Sequence, residues 1–243
     1  MLVLLPPSET KAPGGDGPPL DLDRLSLPEL NPVRRKIADA IVDLAADVPG
    51  SLDVLGLSRR QEDEVARNAA LWSSPTLPAL ERYTGVLYDA LGYPGLSKSA
   101  RAKADRRLAV ASALFGIARG DDRIPAYRLS GGTSLPSLGT LRSLWRPALE
   151  PALAEVDGVV LDLRSGAYAA LARIPHAVTV RVVTAGGKTV SHFNKAYKGK
   201  LAAALATATR EPSTVEGVIA VAEKAGITLD RVGEQELELI TDR

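Results

Sequence analysis

Six polar residues with acid–base or nucleophilic side chains stand at or near the ends of strand-like and helix-like segments. They are two serines, a lysine, two tyrosines and an arginine: Ser8, Lys11, Tyr127, Arg128, Ser165 and Tyr168. Sets of Lys, Tyr and Ser can transfer protons during catalysis. The same residue types also form buried hydrogen-bond networks, which is the commoner arrangement. We therefore treat the six as candidates for a cleft and assign no catalytic residue among them.

A second group combines three lysines at the start of an alanine-rich segment, Lys195, Lys198 and Lys200. Lys195 and Lys198 are three residues apart, so they would share one face of a helix. Positive side chains at a helix N-terminus oppose the helix dipole, and a bound anion would relieve that cost. The adjacent Gly199 would leave room for close approach. The pattern favours a phosphate or other anion site over a merely solvated helix face.

A third feature is a turn between two helical segments. The first predicted helix ends at Leu91. Gly92, which follows it, can adopt the left-handed conformation that closes a helix, and Pro94 cannot continue one. The second is predicted to begin near Ser97 and to bury a face made of Ala104, Leu108, Ala111 and Phe115. Such a turn could hold a phosphate with backbone N–H groups, or it could be an ordinary antiparallel helix pair. Its candidate phosphate-binding residues are Gly92, Tyr93, Pro94, Gly95, Ser97, Lys98 and Arg101.

The segments that must position these residues are strands and helices that follow one another without regular alternation. This order favours one α+β domain that spans residues 1–243. Hydrophobic patterning predicts strands at 2–5, 158–163 and 236–241, and a hairpin of strands at 178–183 and 188–193. It predicts helices at 31–46, 59–71, 140–156, 195–209 and 214–225, with the 140–156 helix interrupted or restarted at Pro147.

Composition excludes several classes of chemistry. The chain has no cysteine, so disulfides, thiolate metal sites and thiol redox catalysis are ruled out. Two histidines are too few for a histidine-only metal site, and we expect no metal and no cofactor. The formal net charge is only +1, yet residues 164–210 contain no Asp or Glu and the tail is mainly acidic. This asymmetry predicts a local basic surface suited to an anionic partner.

An ordered set of segments resembles the YaaA family of peroxide stress proteins. The segments cover nearly the whole chain: LVLLPPSETK at 2–11, YTGVLY at 83–88, LFGI at 114–117, PAYRL at 125–129, LW at 144–145, LRSGAY at 163–168 and FNKAYKG at 193–199. The resemblance implies a compact domain with a positively charged cleft and a helix-hairpin-helix at about 79–118. It also implies DNA binding and protection from hydrogen peroxide by limiting free iron. The chain departs from the family at PPSETK, where many members have a Ser-Pro-Ala-Lys-like string, and in the RSGAY segment, which lacks an acidic residue before the tyrosine.

The leading hypothesis is a non-enzymatic protein that contacts the DNA backbone by shape, through the hairpin and a basic cleft. The alternative is an enzyme acting on a nucleotide or other phosphate-bearing substrate in the same cleft, using Lys11, Tyr127, Arg128 and Lys195. An iron-sequestering protein is disfavoured by the scarcity of ligands. We expect a cytoplasmic monomer without a membrane segment, because no apolar run spans a bilayer.

Overall fold

Residues 1–188 and 194–241 are described in a computed structural model of the protein. Its main sheet has seven strands, and two smaller sheets have three and two strands. In chain order the strands are β1 (Leu2–Leu5), β2 (Gly17–Pro19), β3 (Pro75–Pro78), β4 (Leu108–Ser112), β5 (Gly116–Arg119), β6 (Arg123–Ile124), β7 (Ser134–Leu135), β8 (Gly139–Thr140), β9 (Val160–Asp162), β10 (Val178–Thr184), β11 (Thr228–Arg231) and β12 (Glu236–Thr241).

The main sheet has the order β11-β12-β10-β9-β1-β4-β5. Its five inner strands run parallel, and the edge strands β11 and β5 are antiparallel to their neighbours. The carboxyl ends of β1 and β9 therefore lie side by side, with Leu4 in register with Asp162. The single mixed domain is confirmed, but the parallel centre makes it α/β rather than α+β. About a hundred residues separate the neighbouring strands β1 and β4 in the chain. Their parallel pairing was therefore not predictable from the order of the segments in the sequence.

Helices cover this sheet, whose central strands β1 and β4 are buried along their whole length. The helices are α1 (Asn31–Leu44), α2 (Val48–Leu55), α3 (Glu62–Ala69), α4 (Ala79–Arg82), α5 (Val86–Leu91), α6 (Lys98–Arg107), α7 (Leu141–Ala154), α8 (Gly166–Ala169), α9 (Asn194–Thr207) and α10 (Val215–Lys224). In one helix set, α5, α6 and α10 each contact α9, and in a second set α2, α3 and α7 each contact α1. No helix in the described ranges is both long and apolar enough to cross a lipid bilayer.

The predicted long helix from Ser97 to Phe115 is wrong beyond Arg107. Leu108 begins β4, and β4 then pairs with β5 through a tight turn. The segment LAVAS is apolar at every position, and such a run fits a buried strand as well as a helix. Gly116 has φ of 71°, and a side chain there would overlap the ring of Trp145. Both the backbone conformation and this close contact therefore favour glycine where β5 begins.

The other predicted helices are confirmed, each shorter than predicted, and the strands at 2–5 and 236–241 have the predicted bounds. The helix from Thr140 is continuous through Pro147, so no restart occurs there. Strand β10 lies inside the sheet between β9 and β12, and a turn at Thr184–Lys188 follows it. The predicted second hairpin strand at 188–193, apart from Lys188, lies outside the described residues. The sequence patterns did not indicate α2 or β11.

Candidate functional site

A cavity of about 630 Å³ opens where β1 and β9 end, against β10 and the start of α9. Parallel α/β sheets bind ligands at this edge, and the volume suits a small molecule. Among its lining residues are Glu9, Ser165, Tyr168, Arg181, Lys195 and Lys198. The structure thus brings together four of the predicted residues, Ser165, Tyr168, Lys195 and Lys198, and adds Glu9, which had not been predicted.

One wall of the cavity is fixed by a buried ion pair between Asp162 and Arg164. Arg164 donates from Nε to Oδ1 at 2.9 Å and from Nη2 to Oδ2 at 2.8 Å. Its guanidinium also donates to the carbonyl oxygens of Tyr168 and Ala172. Charge-assisted bidentate bonds of this kind fix geometry. Arg164 and Asp162 therefore shape the site, and neither is left free to act on a ligand.

The lysines of α9 divide between two surfaces. Lys198 is half-buried and donates from Nζ to the Leu163 carbonyl at 3.0 Å. Burial lowers its pKa, and nearby Asp162 opposes that shift. Lys195 is exposed at the same cavity. Lys200 instead lies 5.4 Å from the centre of the Tyr197 ring, in a separate groove that contains Leu96.

Gly199 has a packing role that differs from the predicted one. A Cβ atom at this position would overlap the Leu87 carbonyl oxygen and press on Ala90. The missing side chain therefore lets α5 pack directly on α9 and does not admit a ligand. Through this contact, the start of α9 supports the hairpin turn that follows α5.

Lys11 lies beside the cavity, on the segment that leaves β1. Its Nζ donates to the Ser8 carbonyl at 3.0 Å and to the Glu9 carbonyl at 3.4 Å. The ammonium lies 4.3 Å from the Tyr127 ring centre and 5.3 Å from that of Tyr83. Burial, followed by repulsion from Arg128, lowers the Lys11 pKa from 10.5 to about 7.

Tyr127 belongs to a buried chain of hydroxyl groups. Its oxygen is 2.7 Å from the hydroxyl oxygen of Tyr83 and 2.7 Å from that of Ser112. Ser112 also accepts the N–H groups of Leu114 and Phe115. Burial raises the pKa of both tyrosines, so both stay protonated at neutral pH. Ser112 was missed because its segment was predicted to be helical, whereas it ends β4.

Arg128 and Tyr168 connect the Lys11 region with the cavity. Arg128 Nη2 donates to Glu9 Oε2 at 2.8 Å, and the Arg128 backbone is held by two hydrogen bonds to the Asn68 amide. The Tyr168 hydroxyl accepts the Gly131 N–H at 3.2 Å. The Ser8 hydroxyl lies 3.0 Å from that of Thr10, and Ser8 is not one of the residues that line the cavity.

The turn between α5 and α6 has the predicted caps. Gly92 has φ of 64° and closes α5, and the Ser97 hydroxyl accepts the Ala100 N–H at 3.3 Å. Arg101 is held by the turn itself, donating to the Pro94 and Leu96 carbonyls and to Glu81. The Tyr93 hydroxyl donates to Asp105 at 2.8 Å. Pro94, Gly95 and Lys98 are exposed.

Comparison with known proteins agrees with the resemblance seen in the sequence. The family model for peroxide stress protein YaaA matches residues 1–227. Similar proteins include UPF0246 protein CE1889 of Corynebacterium efficiens, 50% identical over 99% of this chain and 99% of its own. UPF0246 protein SCO2297 of Streptomyces coelicolor is 47% identical over 91% of this chain and 89% of its own. The chain therefore belongs to the YaaA family of peroxide stress proteins, which supports a role in the response to peroxide stress.

Proposed function

We propose that the protein binds DNA during peroxide stress and thereby limits iron-dependent damage, as a cytoplasmic monomer. It would contact the phosphate backbone through a helix-hairpin-helix formed by α5, the Gly92–Ser97 turn and α6, together with a basic cleft. Recognition would depend on DNA shape rather than base sequence, because backbone contacts carry no direct sequence information.

The observation that carries the proposal is the N-terminus of α6. The backbone N–H groups of Lys98 and Ser99 meet no acceptor in the part of the chain that the structure describes. Free N–H groups at a helix start attract phosphate. The exposed Lys98 side chain starts this helix, and the exposed Lys200 shares a groove with Leu96 of the turn. Arg101 contributes indirectly, since its donors hold the turn in shape.

The test replaces Lys98 and Lys200 together by Glu and measures affinity for a labelled DNA duplex. We expect affinity to fall at least roughly tenfold at low salt, because phosphate neutralisation dominates such binding. Arg142→Glu is the matched control, since Arg142 is exposed on α7 in the other helix set. Thermal melting checks that each variant folds. Unchanged affinity in a normally folded double variant would refute DNA binding through the hairpin.

Salt dependence provides a second measurement. The logarithm of affinity should fall with the logarithm of salt concentration with a slope of about −0.9 for each phosphate neutralised. The exposed lysines Lys98, Lys195 and Lys200 limit the number of such contacts to a few. A DNA affinity that does not change with salt concentration would mean that binding does not depend on phosphate contacts.

A second candidate function is an enzyme that acts on a small phosphate-bearing substrate, and the cavity at the strand ends favours it. Lys195 and Lys198 supply positive charge there, and Ser165 supplies an exposed hydroxyl. Calorimetric titration with a nucleoside monophosphate and with the parent nucleoside would test it. We expect only the phosphate form to bind, and Lys195→Gln to weaken it while the exposed Lys224→Gln on α10 does not. Equal responses of the two variants would contradict a phosphate site here.

A further inference from the structure

Lys11 differs from the other cations in the interior. We propose that Lys11 is a nucleophilic amine that forms an imine with the carbonyl carbon of a small anionic aldehyde or ketone. This goes beyond DNA binding and does not depend on it. The proposal stands on three features of the site: the acceptors around Nζ, the charges facing it, and the arginine that can hold the ligand's anionic group.

The hydrogen bonds of Lys11 suit a neutral amine. Its Nζ faces two backbone acceptors, the carbonyls of Ser8 and Glu9. A neutral amine has two N–H donors and one lone pair, whereas an ammonium ion has three donors. The two carbonyls can therefore satisfy both donors of the neutral form, and the lone pair remains for attack on an electrophile. Attack by a neutral lysine amine is the chemistry of Schiff-base formation.

The surrounding charges oppose one another, so burial is the largest influence on the protonation of Lys11. Four ionisable groups act on Lys11: Arg128 and Arg67 oppose its charge, while Glu64 and Glu9 favour it. Within the described ranges, no carboxylate forms a salt bridge with Nζ, and the Glu9 carboxylate is bound by Arg128. With a pKa of about 7, about half of Lys11 is unprotonated at neutral pH. An ordinary lysine is unprotonated in about one molecule in three thousand.

The position of Lys11 is fixed by neighbouring structure. Arg82 is buried and donates to the carbonyls of Ala12 and Gly14, just after Lys11 in the chain. Lys11 itself forms a β-bridge with Tyr83. The rings of Tyr83 and Tyr127 form the apolar side of the site. A fixed amine beside apolar rings is partly desolvated, and desolvation activates lysine nucleophiles.

Arg128 is the residue that would bind the anionic group of the ligand. Its side chain is only 15% exposed, and it binds the carboxylate of Glu9, whose side chain is 68% exposed. A ligand carboxylate or phosphate could take the place of that exposed carboxylate, because guanidinium binds both groups well. Glu9 also lines the cavity, so this exchange would open the Lys11 side of the cavity to the ligand.

The chemical step conserves atoms and needs no redox partner. The Nζ lone pair attacks the carbonyl carbon and forms a C–N bond, while the carbonyl oxygen takes up a proton. The nitrogen loses its protons as the hydroxyl group leaves as water, which gives an imine plus one water molecule. The acceptor carbonyls lose their N–H partners during this step, so water must reach them when the imine forms.

The test uses glyoxylate, a small anionic aldehyde, and acetaldehyde, a neutral one, each followed by borohydride reduction and peptide mass spectrometry. At pH 7 we expect glyoxylate to label Lys11 at least about tenfold faster than the exposed Lys195 and Lys200, because of its neutral fraction. Labelling of Lys11 should be half-maximal near pH 7. Glyoxylate should label Lys11 faster than acetaldehyde does, and Arg128→Gln should remove this preference for the anionic aldehyde.

Lys11→Arg is the matched variant, since it keeps the positive charge but cannot form an imine. It should lose the fast adduct and retain slow labelling of exposed lysines. If this variant fails to fold, the ratio of labelled peptides in the unaltered protein still decides. Labelling of Lys11 no faster than that of Lys195 and Lys200, or half-maximal only above about pH 9, would overturn the proposal.

Discussion

The hairpin turn and the cavity at the strand ends both contain arginines and lysines, and the two residue types have different roles there. In each region an arginine is held by nearby acceptors: Arg101 by the turn carbonyls and Glu81, Arg164 by Asp162 and two carbonyls. The lysines retain freedom to meet a ligand. Guanidinium has five donors in a fixed fork, so it shapes a site, whereas lysine acts as a mobile point charge.

The regions differ in how deeply those arginines are buried. The side chains of Arg164 and Asp162 are 2% and 10% exposed, whereas those of Arg101 and Glu81 are 36% and 32% exposed. Removing one partner of a buried pair leaves an uncompensated charge, whereas an exposed pair is screened by water. The cavity wall should therefore depend on its ion pair far more than the hairpin does.

The largest effect should come from removing one carboxylate charge in each region. We expect Asp162→Asn to lower the free energy of unfolding by about 3 kcal/mol, because Arg164 is left buried without its counter-ion. Glu81→Gln should cost less than about 1 kcal/mol. Urea denaturation of both variants measures the difference. Equal losses would mean that the two ion pairs do not differ in the way their burial indicates.

The next effect concerns the contact through which α9 supports the hairpin. Gly199→Ala should cost about 1–3 kcal/mol, since the added methyl group overlaps the Leu87 carbonyl and forces α5 away from α9. Gly95→Ala is the matched control, because Gly95 has open space around it and no positive φ, so its cost should be small. Thermal melting of the pair provides the comparison. A harmless Gly199→Ala would show that the α5–α9 packing tolerates movement.

Local features of this architecture were predictable from the sequence. The buried strand at Leu2–Leu5, the Gly92 helix end and the Ser97 cap follow from short-range rules, and all three are confirmed. The DNA and phosphate roles given to the hairpin residues and the lysines stay predictions. The helix predicted from Ser97 to Phe115 failed beyond Arg107 because the apolar run that follows has no periodicity that distinguishes a strand from a helix.

Long-range pairings were not predictable in the same way. The contact of Arg128 with Glu9 joins residues 119 positions apart, and no local pattern specifies it. The division of the lysines, in contrast, was available from helix geometry. Residues two apart do not share a face, so Lys200 had to diverge from Lys198. The prediction grouped the three lysines because they are close in sequence, and it did not take into account that Lys198 and Lys200 point to different sides of a helix.

A smaller effect should distinguish Lys11 from the lysine of the hairpin through pH. Folded Lys11 binds fewer protons than unfolded Lys11 between about pH 7 and the ordinary value of 10.5, so the free energy of unfolding should rise with pH across that window. The cost of burying the amine is fully present below pH 7 and is lost above about 10.5. Comparing the protein with Lys11→Met should show a relative rise of about 1 kcal/mol from pH 7 to 9 after allowing for partial exposure. Lys98→Met changes an exposed residue and keeps Lys11, so its pH curve should run parallel to that of the parent. Parallel pH curves for Lys11→Met and the parent would contradict the lowered pKa.

The smallest effect separates two serines that each precede a helix. The Ser97 hydroxyl caps α6, whereas Ser165 precedes α8 without a side-chain cap bond and its exposed hydroxyl lines the cavity. Ser97→Ala should cost about 0.5–1 kcal/mol, because it leaves a helix N–H group without its acceptor. Ser165→Ala should leave the free energy of unfolding within about 0.5 kcal/mol of the parent, as expected for a surface change. Denaturant unfolding of the two variants, measured side by side, checks the contrast. A loss in Ser165→Ala as large as in Ser97→Ala would give that serine a structural role. A neutral result would leave its hydroxyl available to a ligand in the cavity, because a residue that does not stabilise the fold keeps its hydrogen-bonding capacity for what binds there.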